Sequence, residues 1–142
     1  MPAPVQSKSI RIQKNVSPTF DPKTAGHAVV DGLEYLKIRL AWSGTKIAGI
    51  LHLPPNTLNT WLKNGTIPIN SKALQPDVQA IIHLLAIHRS LEAIFENPAH
   101  QQAWLSTHHP DLNEIPEKMM GESIERLIFV RQYLDYIRGK GA

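Results

Sequence analysis

The sequence predicts an all-α protein, and three observations carry that expectation. Apolar residues recur at helical spacing in one segment after another. Proline, serine, asparagine and glycine stand at the segment ends, where helix starts and stops need them. No stretch carries a convincing β pattern; SIRIQ, residues 9–13, alternates but has no sequence partner.

Taken in order, residues 1–25 hold four of the eleven prolines and little apolar material, and read as an N-terminal arm. Lys8, Arg11 and Lys14 on it are candidates for a phosphate backbone or simply for solvent. From Gly26 the spacing of Val29, Val30, Leu33, Leu36 and Leu40 predicts a helix up to Trp42. Ser43 stands where an N-cap belongs, opening a short helix to about Leu51. His52 to Pro54 make a corner. Pro55 suits the first position of the next helix, where its missing N–H is no loss. Asn64-Gly65 is a left-handed stop. Residues 66–76 read as a linker or a wrapped loop. Asp77 to Phe95 forms a long helix striped by Val78, Ile81, Ile82, Leu85, His88 and Leu91. Asn97-Pro98 starts another helix that ends near Thr107; a loop and a short helical turn follow. Glu122 to Arg138 is the last helix. The expected organisation is an arm (1–25), a paired-helix unit (26–75) and a C-terminal unit (76–142).

The chain has 142 residues and a net charge of +3 that conceals an asymmetry. Residues 1–75 carry nine Lys/Arg against three Asp/Glu, or +6; residues 76–142 carry six against nine, or −3. A basic half attracts a polyanion because neutralising phosphates releases condensed counterions. No window nears the ~18 apolar residues of a membrane span, and no apolar run follows the first basic residues as in a secretory signal. The absence of cysteine removes disulfides and thiolate metal sites, and fits a cytoplasmic protein.

The stretch TKIAGILHLPPNTLNTWLKNG, Thr45 to Gly65, is the clearest local signal. A helix-turn-helix unit needs a small residue where its helices cross, which Ala48 supplies. It needs apolar inner faces, which Ile47, Leu51, Leu53, Leu58 and Trp61 supply. At about 100° per residue, Leu58, Trp61 and Leu62 fall on one side of the second helix, and Asn56, Asn59, Thr60 and Lys63 on the other. Asparagine pairs bidentately with adenine, threonine meets a thymine methyl, and lysine reaches guanine or phosphate. Ser43 and Thr45 flank the first helix's free N–H groups, a place for a phosphate, with Lys46 and Lys37 as weaker candidates. The same polar face suits an ordinary solvated corner. His52 stands where such corners often carry glycine, and the double proline replaces the usual hydroxyl cap.

On the last helix Leu127, Phe129, Val130, Tyr133, Leu134, Tyr136 and Ile137 span about half the circumference, more than the ~100° stripe that one-sided packing needs. The surplus along Phe129, Tyr133 and Tyr136, with Ile137, is a candidate partner surface; burial on two sides within the fold is the alternative.

The second half also carries a resemblance. LEAIFENPAHQQAWLSTHHPDL followed by PEKMMGESIERLIFVRQYLDYIRGKG resembles the Xre/MbcA/ParS antitoxin family, through Phe95, Asn97, Ala103, Trp104, Leu105, Pro110, Leu112, Pro116, Gly121, Leu127, Ile137 and Gly139. With an upstream Xre-type helix-turn-helix, the resemblance covers roughly residues 28–140. The family's glycine-rich segment is shortened here to Asn113, Glu114 and Ile115. The resemblance implies a type II antitoxin that binds and neutralises a toxin and represses its own operon. Its C-terminal domain would contact the toxin and dimerise; family partners include RES-domain toxins that consume or transfer NAD.

Catalytic and metal chemistry find no support in the residues. His83 and His88 are five apart and diverge on a helix; His108 and His109 lie in a loop; there is no HExxH. No cofactor and no enzymatic activity are expected. The expected function is therefore an antitoxin with a cognate, RES-type toxin and operator DNA as partners, acting as a homodimer. The alternative is a dimeric helix-turn-helix regulator with no toxin partner.

Overall fold

A computed structural model of the chain describes residues 21–69 and 76–141. The expected SIRIQ alternation and the arm cations Lys8, Arg11 and Lys14 lie outside the described residues. Seven helices occur among them: α1 (Pro22–Leu40), α2 (Gly44–Leu51), α3 (Pro55–Asn64), α4 (Pro76–Ile94), α5 (Pro98–Ser106), α6 (Pro116–Glu122) and α7 (Ile124–Gly141). The described residues form an all-α fold, as the apolar spacing predicts.

Helix boundaries follow the local chemistry. α1 begins at Pro22, earlier than expected, so residues 22–25 belong to a helix rather than to the arm. Proline's fixed φ and missing N–H suit that first turn, which Thr24 closes by donating to Asp21 Oδ2 at 2.7 Å. Ser43 caps α2, its hydroxyl accepting from Lys46 N at 3.0 Å. Asn97 caps α5 by accepting from Ala99 N at 2.8 Å. The last helix starts at Ile124 rather than Glu122, because Ser123 is extended and accepts from Arg126 N at 3.1 Å. That extended residue separates α6 from α7.

Two helix ends stop in the left-handed region without glycine. His52 has φ 59° and Ala41 has φ 56°. In each case the next residue's N–H reaches back five residues, Leu53 to Ala48 O at 2.9 Å and Trp42 to Lys37 O at 3.1 Å. Leu53 and Trp42 then bury their side chains, completing the hydrophobic contact of this type of stop. A Cβ in the left-handed region costs roughly 1–2 kcal/mol, partly offset by the ~0.5–1 kcal/mol that glycine loses to unfolded-state entropy. His52→Gly and Ala41→Gly are each expected to raise Tm by about 2–4 °C, the response to roughly 1 kcal/mol in a chain this size. A fall in the melting temperature of both variants would rule out these corners.

Packing joins the helices into one apolar cluster running from Val30 on α1 through Ala48, Leu58, Ile81 and Leu105 to Leu134 on α7. Ala48 is fully buried on α2, which packs against α3. Ile67 brings residues 66–69 back onto the core as a wrapped loop. It lies so close to α1 that any side chain at Gly26 would run into the Ile67 carbonyl. His27 Nδ1 donates to Gly65 O at 2.8 Å and fastens the end of α3 to α1.

α4 and α7 run parallel. Arg131 Nη1 meets His83 Nδ1 at 3.0 Å, and Arg138 Nη1 donates to Ser90 Oγ at 3.1 Å; both pairs are 48 residues apart. Parallel neighbours need a crossover, and α5 and α6 provide it. On the way α5 packs against α1, and α6 packs against α2. Lys46 Nζ seals the second contact with an ion pair to Glu117 Oε2 at 2.7 Å. The core is thus continuous across residue 76, where the charge balance changes sign. None of the described helices is long and apolar enough to cross a membrane.

Candidate functional site

The sequence singles out two surfaces, and each has its own geometry. The first lies on α2 and α3. Leu58 is buried, Trp61 and Leu62 are half-buried, and Asn56, Asn59, Thr60 and Lys63 are all exposed. The two-sided character expected of this helix is therefore present. Ser43 and Thr45 are exposed at the start of α2. They sit beside the polar face of α3, because Asn59 Oδ1 rests against Gly44, 3.3 Å from where a Cβ would stand. Thr60 donates its hydroxyl proton to Asn56 O at 2.8 Å, which leaves its lone pairs and methyl outward. Lys46 is set apart from the others. Its ammonium is paired with Glu117 and lies 5.0 Å above the Trp42 ring, so its charge is compensated within the fold. No sequence signal joins Lys46 to Glu117, 71 residues away.

The second surface is on α7. Leu127, Val130 and Leu134 are buried and form its inward face. Phe129 is 48% exposed and Tyr136 62% exposed, a high value for large rings on a helix whose opposite side is fully packed. Lys140 Nζ sits 5.8 Å above the Tyr136 ring. Ile137 is half-buried.

Tyr133 differs from its two neighbours. Its hydroxyl donates to Asp111 Oδ2 at 2.8 Å, and its ring stacks on Trp104 of α5 at 6.5 Å. Burial, then the bond to Asp111, raises its pKa above the usual tyrosine value. On the same indole, His109 stacks at 4.7 Å, and its Nε2 donates to Trp104 O at 2.8 Å. Sequence spacing alone hides this cluster, because it unites α5, α7 and the loop between α5 and α6. That loop is short and braced: His109 N donates to Glu114 O at 3.1 Å, and Leu112 is buried.

The histidines on α4 are structural in their contacts. His88 is buried, 5.7 Å from the Tyr35 ring. Burial pushes its imidazole below the usual histidine range, against the upward pull of Glu92 and Gln101. His83 is also lowered, first by burial and then by Arg131. Among the described residues no three His, Asp or Glu side chains come together to hold a metal ion.

Residues 90–140 match the family model described as antitoxin Xre/MbcA/ParS C-terminal toxin-binding domain. No curated protein matches the chain. The matched span takes in the end of α4 and all of α5, α6 and the α7 aromatic edge. It leaves α2 and α3 outside.

Proposed function

We propose that this chain is a type II antitoxin whose α7 aromatic edge seizes a RES-type toxin, a reading supported by the match of residues 90–140 to the Xre/MbcA/ParS antitoxin toxin-binding domain family. The observation that carries the reading is the exposure of Phe129 and Tyr136 inside the matched span. Large rings exposed on a helix whose opposite face is packed are the usual anchors of an interface core. Ile137 and Tyr133 border them, Tyr133 as a fixed neighbour rather than a free anchor.

The α2–α3 pair supports a second role. As a helix-turn-helix it would read operator DNA through Asn56, Asn59, Thr60 and Lys63, with Ser43 and Thr45 on the phosphates, and so repress the chain's own operon. Operators of this kind are read as two half-sites, so the acting species is a homodimer joined through α4 or α7. A dimeric regulator with no toxin partner is the competing reading, and the same exposed polar face favours it.

Co-expression decides between them. The product of the reading frame adjoining this gene is expected to arrest growth and deplete cellular NAD when made alone. The full chain made with it is expected to restore both. Growth arrest without NAD loss would exclude the RES type. A harmless neighbour that the chain does not bind would leave the regulator.

A further inference from the structure

Beside the aromatic edge lies an open cleft of about 280 Å³ walled by Phe95, His100, Ala103, Trp104, Thr107 and His109. Two of its polar groups are already committed. Thr107 donates its hydroxyl proton to Ala103 O at 2.6 Å, and His109 Nε2 is bonded to Trp104 O. His100 is turned edge-on to Phe95, their ring centroids 6.4 Å apart. The surface the cleft exposes is almost wholly apolar, so it offers ring faces and methyl groups to whatever enters it, and little that would reward a polar guest with a hydrogen bond.

Its position gives it an occupant. Every wall residue lies within the span matching the toxin-binding domain family. The Trp104 wall is continuous, through the Tyr133 stack, with Phe129 and Tyr136 one helical turn to either side. Tyr133 is held at both ends, by Trp104 and by Asp111, so this junction is ordered before any partner arrives. A preformed wall lowers the ordering cost of binding.

We propose that the α5 cleft is a specificity pocket of the toxin interface, receiving one large apolar side chain, aliphatic or aromatic, that projects from the toxin. The inference rests on the toxin reading above and adds the chemistry of the contact. Interfaces of this kind gain most where an apolar anchor enters a desolvated pocket.

The test fills the pocket without touching the core. Ala103 is exposed on α5, so Ala103→Trp adds bulk at the cleft while the buried face of the helix stays unchanged. Binding of the inactivated product of the adjoining reading frame to the full chain is measured by calorimetry, with thermal melts to verify folding. Ala103→Trp is expected to raise Kd at least tenfold with Tm within about 3 °C of the parent. In the parent chain labelled with 5-fluorotryptophan, the Trp104 resonance is expected to shift on binding and that of buried Trp42 to stay. Parent-strength binding by folded Ala103→Trp, or an unmoved Trp104 signal in a formed complex, overturns the pocket and leaves the toxin reading standing. Failure of the parent itself to bind overturns both.

Discussion

Replacing Phe129 and Tyr136 together with alanine is expected to abolish neutralisation while leaving the protein folded. Both rings face water over about half their surface or more, whereas the inward face of α7 rests on Leu127, Val130 and Leu134. Removing the outward rings therefore opens no cavity in the core, and alanine is the better helix former at both positions. At a well-packed interface each such truncation costs about 2 kcal/mol or more, so the pair should cost roughly 4 kcal/mol, about a thousandfold in Kd. Tyr133 is left out of this variant on purpose. It stacks on Trp104 and donates to Asp111, so Tyr133→Ala would confuse lost stability with lost binding. The readouts are Kd for the product of the adjoining reading frame, growth rescue by the full chain, and the melting temperature. Growth rescue at the parent level by a folded double variant would remove α7 from the toxin interface.

Much of this architecture was legible in the residues because it is local. Caps and stops depend on one or two positions, and Ser43, Asn97, Pro55 and Gly65 act where their chemistry predicts. The stripes of α1 to α4 follow helical period, and Ala48 is buried with them. Period identifies an apolar face but not the neighbour that covers it. The parallel pairing of α4 with α7 depends on a crossover through α5 and α6, which no periodicity encodes. The same limit applies to the candidate surfaces. Tyr133 shares an edge with Phe129 and Tyr136 by spacing, yet Asp111, 22 residues away, engages its hydroxyl. The charge asymmetry divides the chain near residue 76, whereas Leu36, Ile81 and Leu134 lie in the same core. Charge reports what faces solvent, and the shared core lies beneath it. A fragment cut at residue 76 would strip α1 from α4 and expose that core, so the tests here use the full chain.

The combined variant Asn56→Ala, Asn59→Ala, Lys63→Ala is expected to lose specific binding to the DNA upstream of this chain's own gene. These three side chains are exposed on α3, and Leu58 holds the helix from its buried side. The substitutions therefore alter the outward face and spare the packing. If Asn59 pairs bidentately with a base, its loss costs roughly 1–3 kcal/mol and relaxes specificity at one position. Its amide oxygen already rests against Gly44 at the start of α2, so the base contact and any phosphate at that helix end lie side by side. Lys63 would act differently: removing it weakens binding to all sequences and reduces the salt slope by about one counterion. Lys46→Ala is the informative contrast, since Glu117 already neutralises that ammonium at 2.7 Å. Its expected effect on the salt slope is well below that of Lys63→Ala, with a small loss of stability where α2 meets α6. Fluorescence anisotropy across a salt series measures the affinities and salt slopes on the full chain, and a thermal melt the stability of Lys46→Ala. Undiminished operator binding by the triple variant would take α3 out of the groove. A larger salt-slope change from Lys46 than from Lys63 would move the phosphate contact to α2 and require the Glu117 pair to open on DNA.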